Sequence, residues 1–249
     1  MVQLKTIQAS AFRTVFEVLK DIINDVNLIF KPEGILIITL DTARVTLVHL
    51  FMPAENFEEY VCEAECTAGL NISNTYKLLK SVSNADTLTL DVDDNYILNI
   101  RIENLAKRSL TTFQFKLLDI NDDMLSIPEI EMDTITTLPS IDFQRIARDM
   151  HNISNDIRIY RWKKTLELEC EGSFANQKTT IECIEQGPDE PVGNLFSLKY
   201  INMFTRATSL CASIQILQDS RDQNMPIVFR YAVANLGELK FYLAPKIDD

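Results

Sequence analysis

The sequence predicts an α+β protein made of two similar β-rich domains, each with a pair of short helices on its sheet. Three observations predict this class: short segments with strand periodicity dominate, four short amphipathic helices interrupt them, and the pattern of the first half returns in the second. A length of 249 residues suits two domains of about 120 residues each. The predicted divisions are an N-terminal domain over residues 1–117, a connecting loop over 118–133 and a C-terminal domain over 134–249.

The first helix of each half carries the clearest sign of duplication. At an offset of 131 residues the apolar positions coincide, and the pairs are Phe12 with Phe143, Val15 with Ile146, Leu19 with Met150 and Ile22 with Ile153. The turns that follow also match, with Asn24-Asp25-Val26 corresponding to Asn155-Asp156-Ile157. Every amphipathic helix has an apolar stripe, but a shared stripe, turn and strand entry predict a repeated domain. The second helices, predicted over 71–83 and 198–209, match less closely.

Strand patterns fill the remainder of each half. Residues 35–40 and 45–51 are continuous apolar runs, whereas 87–92, 166–170 and 239–243 alternate with period two. Short polar segments separate these runs, as hairpin turns do. Because each helix has a single apolar stripe to bury, the two helices of a half are expected to share one face of a sheet.

The composition is that of a folded protein outside the membrane. Hydrophobic residues make up 46% of the chain, which is enough for a buried core. No run approaches the roughly 18 apolar residues of a membrane span, and the N-terminus begins with a strand pattern rather than a signal peptide. A soluble protein that is not secreted is therefore expected.

Basic residues recur on all four predicted helices although the formal net charge is -12. Spacings of three or seven residues place each pair on the side opposite the apolar stripe. These residues, called the basic helix set below, are Arg13, Lys20, Lys77, Lys80, Arg145, Arg148, Lys199 and Arg206. One interpretation is that they simply solvate helix surfaces. The other is that a protein which repels polyanions elsewhere presents them to a phosphate backbone on one surface.

The sequence contains no arrangement typical of an active site. The six glycines form no phosphate-binding loop, and neither His49 nor His151 lies near a nucleophile motif. The five cysteines are odd in number and mostly lie in strand patterns, which indicates reduced thiols rather than disulfides or a zinc site. Acidic clusters at 91–94 and 119–123 could hold Mg²⁺ for a nuclease, although carboxylates in turns are usually solvated. A binding protein without catalytic residues, metal or cofactor is favoured, and a nuclease is the alternative.

The segment that joins the halves is acidic and contains Pro128, yet it keeps isolated apolar residues at Met124, Leu125 and Ile127. A solvated linker is one interpretation. A linker that is only solvated has no need of such side chains, so a docking surface is the alternative.

Several segments resemble one family in order and spacing. The last residues, 239–249 (LKFYLAPKIDD), closely resemble the C-terminus of eukaryotic proliferating cell nuclear antigen, the DNA sliding clamp. LDTARVTLVHL at 40–50, LSIPE at 125–129, FQRIARDM at 143–150 and YINMFTRAT at 200–208 agree with the same family. The resemblance covers essentially the whole chain.

This resemblance implies a DNA clamp fold that assembles into a closed, pseudo-sixfold ring of three identical subunits with two domains each. Helices would line the hole and sheets would form the outside. The implied function is a processivity factor for DNA polymerase and a docking platform for replication and repair enzymes, without enzymatic activity. The implied location is the nucleus, or a viral replication site if a virus encodes the protein.

The resemblance also gives the basic helix set a role, because its members stand at or beside family positions that line the hole. They would contact duplex DNA through phosphates, without regard to sequence. Arg13-Thr14 departs from the paired lysines common in the family, so a weaker grip on phosphate is expected at the first helix.

A pocket for a short peptide of polymerase, clamp loader, ligase or nuclease is implied as well. Its expected residues are Leu40, Arg44, Val45, Leu47, Leu125, Ile127, Pro128, Pro226, Tyr242, Ala244 and Pro245. Arg44 stands where a histidine is frequent, which should favour acidic flanking residues in the partner. Met132 stands where an aromatic residue is frequent, which should make that wall more adaptable.

Subunit contacts are expected on edge strands, because open edges must be covered to avoid aggregation. The candidate strands are residues 109–117 and 174–183. The expected interface residues are Leu78, Ser109, Thr111, Phe113, Phe115, Met150, Ile153, Phe174, Gln177 and Thr179. Contact between two different surfaces of identical subunits is heterologous and closes into a ring. Within the family, the alternative is a subunit of a hetero-oligomeric or checkpoint-type clamp.

Overall fold

The computed structural model describes residues 2–93, 96–121, 125, 132–222 and 224–246. The chain forms two compact units. Unit 1 comprises residues 1–42, 48–125 and 232–239, and unit 2 comprises residues 43–47, 126–231 and 240–249. Both units combine antiparallel strands with two helices, which confirms the predicted α+β class.

The N-terminal half alternates strands with two helices. Its elements are β1 (Val2–Thr6), α1 (Ala9–Leu19), β2 (Asp25–Lys31), β3 (Gly34–Leu40), β4 (Thr46–Pro53), β5 (Glu59–Cys62), β6 (Cys66–Asn71), α2 (Ile72–Leu79), β7 (Thr87–Val92), β8 (Ile97–Asn104) and β9 (Ser109–Lys116). One sheet has the order β5-β1-β7-β8-β9, and in another the strands of this half follow the order β4-β3-β2-β6.

The C-terminal half repeats this arrangement. Its elements are β10 (Thr134–Pro139), α3 (Ser140–His151), β11 (Asp156–Trp162), β12 (Thr165–Glu171), β13 (Asn176–Glu182), β14 (Val192–Ser197), α4 (Leu198–Phe204), β15 (Ser213–Gln218), β16 (Ile227–Val233) and β17 (Gly237–Leu243). Here the strand orders are β10-β15-β16-β17 and β13-β12-β11-β14. The predicted offset of 131 residues relates both ends of β2 to those of β11, and both ends of β3 to those of β12. The duplication is therefore confirmed.

The apolar stripes of the helices lie in the core, as the periodicity predicts. α1 packs against α2 in unit 1, and α3 packs against α4 in unit 2. Phe12 and Leu19 of α1 are buried, and so are their counterparts Phe143 and Met150 of α3. Phe143 also stacks on Phe229 of β16, with ring centroids 5.7 Å apart. Helices of this length depend on such packing, because short isolated helices are marginal in water.

The second helices are shorter than the periodicity predicts. α2 ends at Leu79 instead of residue 83, and α4 gives way at Phe204 to a 3₁₀ helix over Thr205–Ser209. Thr205 donates its hydroxyl to the Asn202 carbonyl at 2.9 Å, and local hydrogen bonds of this kind compete with regular helix geometry. In the part of the chain that the structure describes, no helix has both the length and the hydropathy to cross a membrane.

A buried carboxylate fixes the segment that follows α2. Asp86 Oδ1 accepts a hydrogen bond from Asn104 Nδ2 at 2.5 Å. Its Oδ2 accepts from the Ser83 backbone N at 2.7 Å and from Ser83 Oγ at 2.9 Å. Burial alone would raise the pKa of Asp86, but these hydrogen bonds, helped by the charge of Lys107, lower that pKa below its ordinary value.

We expect Asp86→Asn to destabilise the protein at neutral pH by roughly 1–3 kcal/mol, because the amide cannot accept charge-assisted hydrogen bonds. The pKa of Asp86 is lower in the folded protein than in the unfolded chain, where it is about 4. The ionised carboxylate therefore stabilises the fold at pH values above the pKa of the unfolded chain. This stabilisation is lost as the pH falls through the lower pKa of the folded protein. The difference in melting temperature between wild type and variant should therefore shrink below about pH 4. Thermal unfolding followed by circular dichroism from pH 7 downward measures this difference.

The matched control is Asp189→Asn, which removes an exposed carboxylate from a loop. It should leave the melting temperature close to that of the wild type at every pH. A melting-temperature difference for Asp86→Asn that stays constant down to the lowest pH would contradict the assigned role of the Asp86 charge.

Candidate nucleic-acid interface and partner surface

The cations of unit 2 are exposed on its helix pair. Arg145 and Arg148 lie on α3, Lys199 lies in the first turn of α4, and Arg206 lies in the 3₁₀ helix that follows. Arg145 Nη2 is 3.4 Å from Asp142 Oδ1, with the two side chains 64% and 51% exposed. A pair this exposed is weak and leaves the guanidinium accessible to other anions.

The two helices of unit 2 are joined by neutral side chains. Gln144 of α3 donates from Nε2 to the Thr205 carbonyl at 2.8 Å. Asn202 of α4 donates from Nδ2 to the Ala147 carbonyl at 3.3 Å and to the Leu198 carbonyl at 2.9 Å. These amides satisfy backbone carbonyls without using the cations of α3 or α4.

In unit 1 the two lysines of the α2 region are exposed. Lys77 lies in the last turn of α2, and Lys80 follows the helix as its C-terminal cap. Lys77 Nζ is 3.0 Å from Asn74 Oδ1 on the helix surface. Asn71 caps the N-terminus by accepting from the Asn74 backbone N at 2.9 Å. Cations near a helix C-terminus also interact favourably with the helix dipole.

The other two members of the basic helix set are half-buried and contact α2 or the segment that follows it. Arg13 is half-buried, and its Nη1 donates to the Val82 carbonyl at 3.2 Å. Lys20 is half-buried as well, with Nζ 4.4 Å from the centroid of the Tyr76 ring, a cation–π geometry. Helical spacing predicts which side of α1 these residues occupy, but not the direction in which their long side chains turn.

Tyr76 and Glu17, which are not among the site residues predicted from the sequence, complete this contact. The Tyr76 hydroxyl donates to Glu17 Oε1 at 3.0 Å. Burial and this hydrogen bond raise the pKa of Tyr76, while the charge of Arg13 opposes the rise. The α1–α2 contact is therefore built from charged and aromatic side chains, unlike that of unit 2.

The structure describes most residues of the predicted peptide pocket. In unit 2, Ala244 donates its backbone N to the Val45 carbonyl at 3.2 Å, which places the segment after β17 beside the start of β4. The neighbouring pocket residues of unit 2 are Arg44, which is exposed, and Leu47, Pro226, Tyr242 and Pro245, which are half-buried. In unit 1, Leu40 is half-buried at the end of β3 and Leu125 is exposed. Ile127 and Pro128 lie outside the described residues, whereas Met132 is described and half-buried.

The two candidate interface strands are both edge strands. β9 is the last strand in its sheet order and β13 is the first in its own, so within the described residues each pairs on one side only. Ser109 and Thr111 are exposed on β9, and Phe174, just before β13, is 75% exposed. The remaining candidates other than Met150 are half-buried, namely Leu78, Phe113, Phe115, Ile153, Gln177 and Thr179.

Met150 does not belong to an interface. Its side chain is 0% exposed, because it continues the apolar stripe of α3 as Leu19 continues that of α1. The prediction that Met150 lies against a partner subunit is therefore wrong, and the residue belongs to the core of unit 2.

The acidic turns do not form a metal site in the described residues. Asp91 is 2.8 Å from Arg101 Nη2, and its Oδ2 accepts from Asn99 Nδ2 at 2.9 Å. Asp94, Asp122 and Asp123, which the nuclease alternative also requires, lie outside the described residues. Among the residues that are described, no group of three or more His, Cys, Asp or Glu side chains could hold a metal ion.

Two β-rich repeats with paired helices, and cations exposed along those helices in an acidic chain, define a clamp-type DNA-binding protein. The sequence matches two protein-family models. The model for the N-terminal domain of proliferating cell nuclear antigen matches residues 1–125, and the model for its C-terminal domain matches residues 126–246. A protein named probable DNA polymerase sliding clamp 1 from Paramecium bursaria Chlorella virus 1 is 35% identical over 253 residues, covering 97% of this chain and 95% of that protein. The chain belongs to the proliferating cell nuclear antigen family, and it is a DNA sliding clamp.

Proposed function

We propose that three copies of the chain close into a ring around duplex DNA, with the helices of both units facing the DNA. The ring holds DNA polymerase on its template and docks ligases, nucleases and the clamp loader, without catalytic activity of its own. It acts in the nucleus, or at a viral replication site if the gene is viral. The observation that carries this proposal is the exposure of cations on all the helix pairs of a protein with a net charge of -12.

Six exposed cations supply the proposed DNA contacts. They are Lys77, Lys80, Arg145, Arg148, Lys199 and Arg206. Exposed, flexible cations make phosphate contacts that are individually weak, independent of sequence and screened by salt. A clamp that must slide needs contacts of this kind, since a deep or base-specific contact would hold the ring at one position.

The double variant Arg145→Glu, Arg148→Glu should fold and assemble like the wild type but lose most of its stimulation of processive DNA synthesis. Both side chains are exposed on α3, so the change alters the electrostatic potential and leaves the core intact. Primer extension by a clamp-dependent polymerase on a loaded circular template measures the loss, and size-exclusion chromatography checks assembly.

The matched control is Lys163→Glu with Lys164→Glu, an equal change of charge on the exposed hairpin between β11 and β12. It should retain most of the stimulation. If the α3 variant no longer assembles, or if the hairpin variant loses activity equally, the proposed DNA surface is wrong.

We propose further that the linker and the segment after β17 hold partner peptides of the form Gln-x-x-(Leu/Ile/Met)-x-x-aromatic-aromatic. Replacing Leu125, Ser126 and Ile127 with alanine should weaken such a peptide at least tenfold, because each apolar anchor at a buried interface contributes roughly 1–3 kcal/mol. Leu125 is exposed and available for this contact. Fluorescence anisotropy with a labelled peptide measures the dissociation constant.

Ile7→Ala is the matched control for the peptide experiment, since Ile7 is an exposed apolar residue between β1 and α1. It should bind the peptide like the wild type. Equal binding by wild type and the triple-alanine variant would refute the assigned linker site.

The proposed subunit contact pairs β9 of one copy with β13 of the next. Leu110 on β9 is 64% exposed and Phe174 beside β13 is 75% exposed, so each edge offers one large apolar side chain next to largely polar residues. Association must offset several kcal/mol of rigid-body freedom, which favours a ring that dissociates on dilution. Mass photometry across a dilution series should show trimer giving way to monomer.

Leu110→Asp should shift this equilibrium towards monomer by at least tenfold in concentration without lowering the melting temperature of the monomer, because Leu110 is exposed. Ile7→Asp is the control and should assemble like the wild type. A mass fixed at the trimer down to nanomolar protein would contradict the predicted weakness of the contact. A monomer at every concentration would instead favour a hetero-oligomeric clamp.

A further inference from the structure

Arg13 occupies the position that Gln144 occupies in the second repeat. The offset that aligns Phe12 with Phe143 places these two residues next in register. Both side chains donate to a carbonyl that follows the second helix of their unit, Arg13 Nη1 to Val82 at 3.2 Å and Gln144 Nε2 to Thr205 at 2.8 Å. Each therefore ties the first helix of its unit to the end of the second.

The positions that expose two arginines on α3 carry no cation on α1. Arg145 aligns with Thr14, which is buried and donates its hydroxyl to the Ser10 carbonyl at 2.8 Å. Arg148 aligns with Glu17, a half-buried carboxylate that accepts from the Tyr76 hydroxyl. A carboxylate at this position repels phosphate rather than binding it.

Turning Arg13 towards a phosphate would break existing interactions. The carbonyl of the buried Val82 would lose the hydrogen bond that it accepts from Arg13 Nη1. Leaving a buried backbone carbonyl without a donor costs free energy of folding. Arg13 Nε is also enclosed and has no hydrogen-bond partner among the described residues. Lys20 is held in a similar way over the Tyr76 ring.

We propose that Arg13 is a positioning residue that joins α1 to the end of α2, and that the phosphate contacts of the first helices come from Arg145 and Arg148 on α3 alone. Unit 1 then contributes to DNA binding through Lys77 and Lys80, whose helix Arg13 holds in place. Unit 2 then makes stronger contacts with the DNA phosphates than unit 1 does. This inference rests on the proposed DNA interface.

Paired glutamine variants separate the two roles, because each removes one positive charge from the first helix of a unit. Arg13→Gln places the residue of the second repeat at the first, where its amide can donate to Val82 as Gln144 donates to Thr205. Arg145→Gln removes an exposed cation. Anisotropy with a labelled linear duplex, titrated at several salt concentrations, gives the affinity and the slope of log K against log salt for each variant.

We expect Arg145→Gln to reduce that slope by about 0.9 for each phosphate that the variant no longer neutralises, and to weaken binding several-fold at low salt. Arg13→Gln should match the wild type in slope and affinity. Arg13→Ala, which has no donor, should lower the melting temperature by several degrees, and Arg13→Gln should recover most of that decrease. This recovery is the readout that distinguishes a helix tie from a phosphate ligand.

An equal reduction of slope in Arg13→Gln and Arg145→Gln would overturn the inference while leaving the proposed DNA interface standing. An unchanged melting temperature in Arg13→Ala would overturn it as well. An unchanged slope in Arg145→Gln would overturn the proposed interface and the inference with it. Arginine modification by phenylglyoxal on the wild-type protein gives an independent measurement, in which DNA should protect Arg145 and Arg148 from modification. Protection of Arg13 to the same degree would contradict its assignment.

Discussion

The structure depends on the burial of one apolar stripe by each of four short helices. Phe12 and Leu19 in unit 1, like Phe143 and Met150 in unit 2, lie fully within the core. Once the stripe is buried, the helical period fixes which positions face away from the sheet. Outward positions that are also exposed, such as those of the two arginines on α3, can then change their charge with little effect on folding. The exposed cations of α3 are thus separated from the apolar residues that stabilise the core.

The two units show how far a duplicated fold can diverge under this constraint. Both close their helix pair with a side chain that donates to a carbonyl beyond the second helix, but unit 2 uses Gln144 and unit 1 uses Arg13. A neutral amide closes the contact without a charge, which leaves the arginines of α3 exposed. In unit 1 three charged side chains of α1 and its C-terminal cap, namely Arg13, Glu17 and Lys20, make contacts with α2 or the segment after it. Counting basic residues along a sequence therefore overestimates how many of them are exposed on the helices.

Local patterns in the sequence predict the strands, the stripes and the repeat, because periodicity and turn chemistry act over a few residues. Long-range side-chain geometry is not predictable in this way. The sequence favours Met150 both for the apolar stripe and for a subunit contact, and its complete burial is compatible only with the first. The direction of Arg13 depends on Val82, 69 residues away in the sequence. The segment after α2 is held by the carboxylate of Asp86, whose hydrogen bonds periodicity does not reveal.

The sheet edges give a physical reason for the proposed assembly that is independent of the helices. After β9, Leu118 donates its backbone N to the Gly69 carbonyl on β6 at 2.8 Å, and after β17, Lys246 donates likewise to Leu195 on β14 at 2.8 Å. The chain thus pairs with part of the β6 edge and part of the β14 edge itself. Of the other described edges, β5 has four residues and β10 ends in a proline, both of which limit pairing. β9 and β13, with eight and seven residues, remain long and open. Edges of that length invite pairing with another chain, and pairing β9 of one copy with β13 of the next would satisfy both in a closed ring.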